Sequence, residues 1–239
     1  MGNRNLEIVI TNLEIGLFIV PTPIGNLDDI TIRAMKILSS ADIIACEDTR
    51  HTGIMLKTLN IPHKKLESYH EHNEESKSAI LVNEVLSGKS VALVTNAGTP
   101  GISDPGYRII KKAIENNIKI ISLPGPTAFI PALVASGLPV NEFHFYGFPP
   151  AKKGRKTFMR EVASQKATSI LYESPYKILK LIDELIELCG SQRQACIARE
   201  ISKVYEEYIR GTLEECKQKL QSKSSIKGEF VVILRSIDK

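Results

Sequence analysis

The segment VALVTNAGTPGISDPG, residues 91–106, is the clearest indication of the fold, because a short β-rich run passes directly into a long turn rich in glycine and proline. A helical pattern follows over residues 104–116, and a second β-rich run, IKIISL, occupies residues 118–123. A strand, a helix and a second strand in this order are typical of an α/β protein. We therefore predict an α/β fold around this segment.

The same alternation extends along the rest of the chain, so we predict an α/β protein with largely parallel sheets. Further strands are predicted at residues 17–20, 42–46, 143–148, 169–173, 195–200, 205–211 and 230–234. Further helices are predicted at residues 31–40, 76–87, 152–164 and 176–189. In the helix over residues 176–189, apolar side chains recur at spacings of three and four residues, which gives one apolar face for a core.

The segment LPGPT, residues 123–127, indicates a domain boundary, because two prolines and a glycine stand between a predicted strand and a helical run. We predict two α/β domains, residues 1–124 and residues 125–239, with residues 1–15 as an extension of the first. Each domain is long enough to bury a core of its own.

The composition argues against several classes of protein. Proline, glycine or charge interrupts every apolar stretch before the roughly 20 residues that a membrane-spanning helix needs. The first residues lack the apolar stretch of a signal peptide, so we expect a cytoplasmic protein with no membrane partner. The four cysteines form no CxxC pair, which argues against a zinc site or a disulfide framework. The net charge of +4 permits an anionic partner.

Three turns rich in glycine and proline each follow a predicted strand: PTPIGN (21–26), NAGTPGISDPG (96–106) and PGPT (124–127). In an open parallel sheet, ligands bind beyond the carboxyl ends of the strands, where such turns let the backbone approach closely. We therefore predict one shared pocket at this edge. The alternative is that each turn only connects a strand to a helix. Neither GxGxxG nor GxxxxGK[ST] occurs, which argues against a dinucleotide or nucleoside triphosphate site.

The chain also resembles a known family, the tetrapyrrole methylase superfamily, over residues 17–234. The motifs that carry the resemblance are VPTPIGNLDDITIRA (20–34), DIIACEDTR (42–50), AGTPGISDPG (97–106), LPGPTA (123–128) and LYESPYK (171–177). Within the superfamily, the motifs resemble those of the enzymes that methylate the ribose 2′-hydroxyl of a decoding-centre cytidine in 16S rRNA. The resemblance implies a homodimer with S-adenosylmethionine bound in a cleft between two α/β domains.

Carried over position by position, the resemblance implies a set of cofactor-binding residues: Pro23, Ser103, Asp104, Tyr107, Thr127, Ala128, Tyr172 and Ala198. Asp104 has an alternative role, because it stands just before a predicted helix and could cap its amino terminus. Asn96 departs from the family pattern, which usually has Asp at this position; an amide both donates and accepts hydrogen bonds, whereas a carboxylate only accepts.

A ribose hydroxyl is a weak nucleophile at neutral pH, so a general base is expected to help. Glu173, at the end of a predicted strand, is the first candidate catalytic residue, and Asp48 is the second. The alternative is that either carboxylate only orients other groups or pairs with Arg50.

For RNA contacts we predict Arg50, Asn96 and the densest basic run of the chain, which comprises Lys152, Lys153, Arg155, Lys156 and Arg160. The alternative for this run is an ordinary solvated helix face.

His70 and His72 alternate but lack a third ligand, so no metal is predicted. The expected partner is 16S rRNA, within the 30S subunit. Two other functions stay open: methylation of a small molecule such as a tetrapyrrole, and binding without catalysis.

Overall fold

The computed structural model describes residues 13–62 and 65–237. The chain forms two compact units that divide between Thr127 and Ala128. Most of the extension predicted for residues 1–15 lies outside the described residues. Of the described part, Leu13 packs against the core of the first unit.

The first unit contains a five-stranded parallel sheet with the order β3-β2-β4-β1-β5. Its strands are β1 (Gly16–Ile19), β2 (Ile43–Cys46), β3 (Leu66–Ser68), β4 (Ser90–Val94) and β5 (Ile120–Ser122). Its helices are α1 (Ile32–Ser40), α2 (Thr49–Thr58), α3 (Glu74–Leu86) and α4 (Tyr107–Glu115), with a short 3-10 helix at Leu27–Asp29.

Both faces of this sheet are covered, which explains why its central strands are apolar at almost every position. The side chains of β1, β2 and β4 are buried throughout. Alternate residues of these strands pack into two separate clusters, one with α1 and α2 and the other with α3 and α4. The carboxyl ends of all five strands therefore lie at one edge of a rigid sheet.

The second unit contains a mixed sheet with the order β6-β7-β10-β8-β9. Its strands are β6 (Phe143–Gly147), β7 (Thr168–Glu173), β8 (Gln194–Arg199), β9 (Glu207–Thr212) and β10 (Phe230–Leu234). Its helices are α5 (Phe129–Ser136), α6 (Arg155–Ala163), α7 (Ile178–Cys189) and α8 (Leu213–Gln221). Helix α5 packs on one face, against β8, β9 and β10, and the other three helices cover the core of the opposite face.

The prediction of largely parallel sheets holds for the first unit and is wrong for the second. Only β6 and β7 pair in parallel there, whereas β7–β10, β10–β8 and β8–β9 are antiparallel. The segment between β8 and β9, residues 200–206, is too short for the crossover that a parallel pair needs.

Candidate active site

Three turns meet at the carboxyl edge of the first sheet, where β4, β1 and β5 are neighbours. The backbones of Thr22 and Gly98 exchange two hydrogen bonds of 2.9 Å, which join the turn after β1 to the turn after β4. The hydroxyl of Thr99 donates to the carbonyl of Pro126 at 2.8 Å, which joins the turn after β4 to the turn after β5. The three turns that the sequence singled out therefore form one connected backbone surface.

Two glycines make this close approach possible. A Cβ atom at Gly125 would lie 2.6 Å from the Cβ of Pro21, so no larger residue fits between the first and third turns without a shift of the backbone. Gly98 has a φ of +85°, a conformation that residues with side chains rarely adopt. Backbone donors and acceptors of the turns can consequently approach a ligand closely.

Asp104 is the most perturbed carboxyl group at this edge. Burial, together with the nearby negative charge of Glu47, raises its pKa to about 6, although a hydrogen bond with Thr95 acts in the opposite direction. Asp104 is not a helix cap: α4 begins at Tyr107, and the capping position belongs to Gly106. A half-buried carboxyl group beside a second acid is suited to a cationic ligand.

The other predicted cofactor residues of the first unit lie on or next to the same turns. Pro23 is buried in the first turn, and Ser103 has a φ of +60° in the second turn. Tyr107 begins α4 with a ring that is 72% exposed. Thr127 is half-buried at the end of the third turn. Pro23 and Ser103 are thus placed within the turns, and Tyr107 directly follows the second one.

Asp48 marks the start of α2, at the carboxyl end of β2. Its carboxylate accepts hydrogen bonds from the backbone N–H groups of Arg50 and His51 at 2.8 and 3.3 Å. These bonds lower the pKa of Asp48, and the positive charge of Arg50 contributes to the same shift. The side chain of Arg50 is 91% exposed and lies 3.8 Å from Asp48, so the alternative pairing of Arg50 with a candidate base does occur.

Asn96 connects this helix start to the second turn. Its backbone carbonyl lies 3.1 Å from Nε2 of His51, and because a carbonyl only accepts, that nitrogen carries the proton. The side-chain Oδ1 atom of Asn96 is buried and has no hydrogen-bond partner among the described residues. His51 is a polar residue of the site that the sequence did not single out; its position directly after EDTR was the available signal.

In the second unit, Tyr172 and Ala198 lie on one face of the sheet. Val231 of β10 pairs with Tyr172 on one side and with Ala198 on the other, so the three residues form a row across neighbouring strands. This is the face on which α5 packs. Ala128 occupies the residue before that helix.

Glu173 faces the opposite side of the sheet from Tyr172, because successive residues of a strand alternate. It is 4% exposed, and its Oε1 atom accepts a hydrogen bond from the backbone N–H of Ser174 at 2.8 Å. Its Oε2 atom lies 3.9 Å from Nη2 of Arg155. The first candidate base therefore faces away from Tyr172 and Ala198, two of the residues that the resemblance implies for cofactor binding.

The predicted RNA-contacting run divides into two parts. Arg155 is buried: its Nε atom donates to both carboxylate oxygens of Glu184, at 3.1 and 2.9 Å, and its Nη1 atom donates to the carbonyl of Pro150 at 3.0 Å. A guanidinium held in this way is not available to a phosphate. Lys152, Lys153, Lys156 and Arg160, which we call the basic group, are all exposed and form no ion pair within residues 13–62 and 65–237.

His70 and His72 lie after β3 with ring centroids 5.9 Å apart. The side-chain amide of Asn73 lies 3.2 Å from Nε2 of His70. Within the part of the chain that the structure describes, no three His, Cys, Asp or Glu side chains are grouped closely enough to hold a metal ion. In the same part of the chain, no helix has the length and apolar character needed to cross a membrane.

Comparison with known proteins identifies the family to which this chain belongs. The sequence pattern of the tetrapyrrole (corrin/porphyrin) methylases matches residues 16–217. The chain therefore belongs to the tetrapyrrole methylase family, which confirms the resemblance carried by the turn motifs. The α/β fold class predicted from that resemblance is likewise confirmed.

Particular members are similar over most of their length. The chain is 46% identical over 219 residues to the ribosomal RNA small subunit methyltransferase I of Halalkalibacterium halodurans, covering 91% of this chain and 75% of that protein. It is 48% identical to the protein of the same name from a Hydrogenobaculum species, covering 91% and 94% of the two chains. Among solved structures, a uroporphyrin-III C-methyltransferase from Thermus thermophilus, complexed with S-adenosyl homocysteine, is similar with a TM-score of 0.61 at 19% identity, over 92% of this chain and 97% of that one.

Proposed function

We propose that this chain transfers a methyl group from S-adenosylmethionine to the ribose 2′-hydroxyl of a cytidine in the decoding centre of 16S rRNA. The observation that carries the proposal is the junction of three turns at the carboxyl edge of the first sheet, where Thr22 pairs with Gly98 and Thr99 bonds to Pro126. The names of the relatives support ribosomal RNA as the substrate.

The residues at this edge fit the donor. S-adenosylmethionine carries a sulfonium and an ammonium group, and Asp104 and Glu47 place two carboxyl groups where a cation would lower their mutual repulsion. Oδ1 of Asn96 is a buried acceptor that lacks a partner among the described residues, so a ligand N–H or O–H would satisfy it. Backbone N–H groups of the glycine-rich turns suit the donor's carboxylate.

When bound, S-adenosylmethionine supplies a methyl group on a sulfonium, which is transferred by an in-line displacement. The main contribution of the chain is then to hold the ribose oxygen in line with that carbon, since fixed geometry removes much of the entropic cost. The hydroxyl proton leaves to a carboxylate or to water. Asp48 and Glu173 stay predictions for this role: Asp48 lies at the edge with the three turns but has a lowered pKa, and Glu173 is buried beside Arg155.

RNA binding rests on the exposed cations of both units. Arg50 extends from the start of α2 at the carboxyl edge of the first sheet, and the basic group lies at the start of α6 and just before it. Such side chains neutralise phosphates and set the position of the RNA without reading its sequence. We also propose that the substrate is the 30S subunit, that the enzyme acts in the cytoplasm and that it is a homodimer.

The deciding experiment supplies 30S subunits that lack the modification, together with donor carrying a labelled methyl group. We expect label in 16S rRNA, within a dinucleotide that resists alkali because its 2′-hydroxyl is methylated. Label in a small tetrapyrrole but not in RNA would identify a small-molecule enzyme. Donor binding by calorimetry without any transfer would identify a protein that binds without catalysis.

A further inference from the structure

Strand β6 contains a bulge that changes which face its last aromatic residue occupies. Phe143 and Phe145 alternate with His144 and Tyr146, and the ring of Tyr146 packs against the core of the α6 side. The pairing of β6 with β7 shifts between Phe145 and Gly147, and Gly147 has a φ of +66°. In a regular strand, Phe148 would lie on the same face as Tyr146, two residues earlier. The bulge inserts one extra residue between them, so Phe148 lies on the face of Phe145 instead.

On that face Phe148 ends a row of aromatic rings. Phe129 stacks on Phe145 with centroids 4.5 Å apart, and Phe145 meets the edge of Tyr172 at 5.1 Å. Phe148 contacts the same Tyr172 ring at 5.4 Å. Phe145 and Tyr172 are partly buried, whereas Phe148 is 58% exposed. The row therefore supports one large ring that keeps much of its surface open to solvent.

The segment that follows Phe148 is anchored to the fold. Arg155, buried against Glu184 of α7, donates from Nη1 to the carbonyl of Pro150 at 3.0 Å. Lys152 and Lys153 stand between these two anchored residues and are exposed. An exposed aromatic ring thus lies four residues from an exposed cation on a segment of fixed position.

We propose that Phe148 is a stacking site for an unpaired base of the RNA substrate, next to phosphates held by Lys152 and Lys153. Single-stranded RNA presents bases and phosphates at short intervals, and proteins bind it with aromatic rings that stack on bases and cations that follow the backbone. A ring alone would also suit an apolar protein partner; the adjacent unpaired cations favour a polyanion. The inference rests on RNA being the substrate and assigns the position of a base within it.

The chain contains no tryptophan, so Phe148→Trp introduces a single fluorescent reporter at the site. The probe is a short single-stranded RNA that carries the decoding-centre cytidine, and its binding is measured independently by anisotropy of a label on the RNA. We expect RNA to quench the new tryptophan. The matched control is Tyr205→Trp: Tyr205 is 73% exposed and precedes β9, at the opposite edge of the same sheet, so its fluorescence should stay constant.

A second variant tests the energy of the contact. Phe148→Ala should weaken RNA binding by about 5- to 150-fold, the range expected for loss of one base stacked on an aromatic ring. The salt dependence of binding should not change, because the proposed contact is with a base and not with a phosphate. Phe148→Tyr should retain most of the binding.

The outcomes separate this inference from the proposed function. RNA binding that leaves the tryptophan at residue 148 unquenched, with 30S methylation intact, would overturn the stacking site alone. Quenching by S-adenosylmethionine in the absence of RNA would overturn it as well, because the ring would then belong to the donor site. Failure of the unaltered chain both to bind the RNA and to methylate 30S subunits would overturn both proposals.

Discussion

The hydroxyl of Thr99 donates a 2.8 Å hydrogen bond to the carbonyl of Pro126 and so connects the turn after β4 with the turn after β5. A threonine in a surface turn usually bonds within its own turn. Here the bond joins two different turns, which follow β4 and β5, and fixes the separation of two backbone segments at one sheet edge. The site therefore depends on side chains that shape the turns as well as on those that would touch a ligand.

Thr99→Val should weaken donor binding because it removes this bond while keeping the shape of the side chain. One partly buried hydrogen bond contributes about 0.5–1.5 kcal/mol, so the dissociation constant measured by calorimetry should rise by roughly 2- to 12-fold. Thr99→Ser keeps the hydroxyl and is the control. Equal affinities of the valine and serine variants would show that the link between the turns does not matter for binding.

Gly125→Ala should destabilise the first unit and reduce donor binding. The new Cβ would lie 2.6 Å from the Cβ of Pro21, a rigid residue, so the backbone must shift, at a cost of about 1–3 kcal/mol. Gly53→Ala is the control: in α2 its nearest neighbour would be Leu66 at 3.8 Å, so the change should be neutral or stabilising. Equal melting temperatures of the two variants would contradict the close approach of the turns.

Asp104→Asn should change stability in a direction that depends on pH. The native pKa of about 6 is above the ordinary value of 3.8, so the native state holds an extra proton at intermediate pH. The stability that this proton contributes is complete below pH 4 and is lost as the pH rises through 6. Asparagine cannot ionise, so the melting temperature of the variant relative to the unaltered chain should be higher at pH 7.5 than at pH 4.5.

The same substitution should weaken donor binding, because it removes a negative charge from the site proposed for a cationic ligand. Loss of one charged hydrogen bond predicts roughly a 10-fold or greater rise in the dissociation constant at pH 7.5. A melting difference that is the same at both pH values, or donor affinity that does not change, would contradict the role given to Asp104.

The sequence predicts that the three turns meet at one edge of the first sheet, and the reason is physical. The carboxyl ends of parallel strands share one edge, so the turns that follow these strands must cluster there. The sequence predicts strands well where a continuous apolar run is bounded by polar residues. For example, the predicted strand FVVIL coincides with β10. Helix α5 corresponds to the helical run predicted after LPGPT, but its bounds are hard to predict because FIPALVAS is apolar on all sides and includes a proline in the first turn. Helix α2 is absent from the predicted elements. The Asp48 cap that starts it lies within the segment EDTR, where Asp48 was interpreted as a candidate catalytic residue and not as a helix cap.

Burial of individual polar residues was harder to predict, although the signal existed. Arg155 precedes Met159 and Val162 by four and seven residues, and this spacing places it on the buried face of α6. Glu173 follows the buried Leu171 by two residues in a strand, which places both on one face. Both residue types are usually exposed, and only the packing of α6 and α7 against β7 identifies them as partners.

Replacing the basic group tests its contact with phosphates. Changing Lys152, Lys153, Lys156 and Arg160 to glutamine should weaken RNA binding and reduce the slope of log K against log salt, by up to about 0.7–0.9 for each cation that had contacted a phosphate. Lys57→Gln with Lys111→Gln, on α2 and α4, is a control of the same chemistry. An unchanged salt slope in the quadruple variant would leave these cations as a solvated helix surface.

Glu173→Gln separates a catalytic role from a positioning role. Glu173 and Glu184 present two carboxylates to one guanidinium, and Oε2 of Glu173 lacks a hydrogen bond among the described residues, so removal of its charge should not lower stability. Arg155→Met would instead leave the buried carboxylate of Glu173 and the half-buried carboxylate of Glu184 without a cation, at a cost of about 3–5 kcal/mol.

Because Glu173 points to the α6 and α7 side, we expect the glutamine variant to keep its single-turnover methylation rate within about threefold, well short of the 10²- to 10⁴-fold contribution of a general base. Asp48→Asn is the comparison, since asparagine still caps α2 but cannot accept a proton as a carboxylate does. A hundredfold loss in Glu173→Gln, with an unchanged melting temperature and donor affinity, would instead establish Glu173 as the base and require its carboxylate to leave Arg155 during turnover.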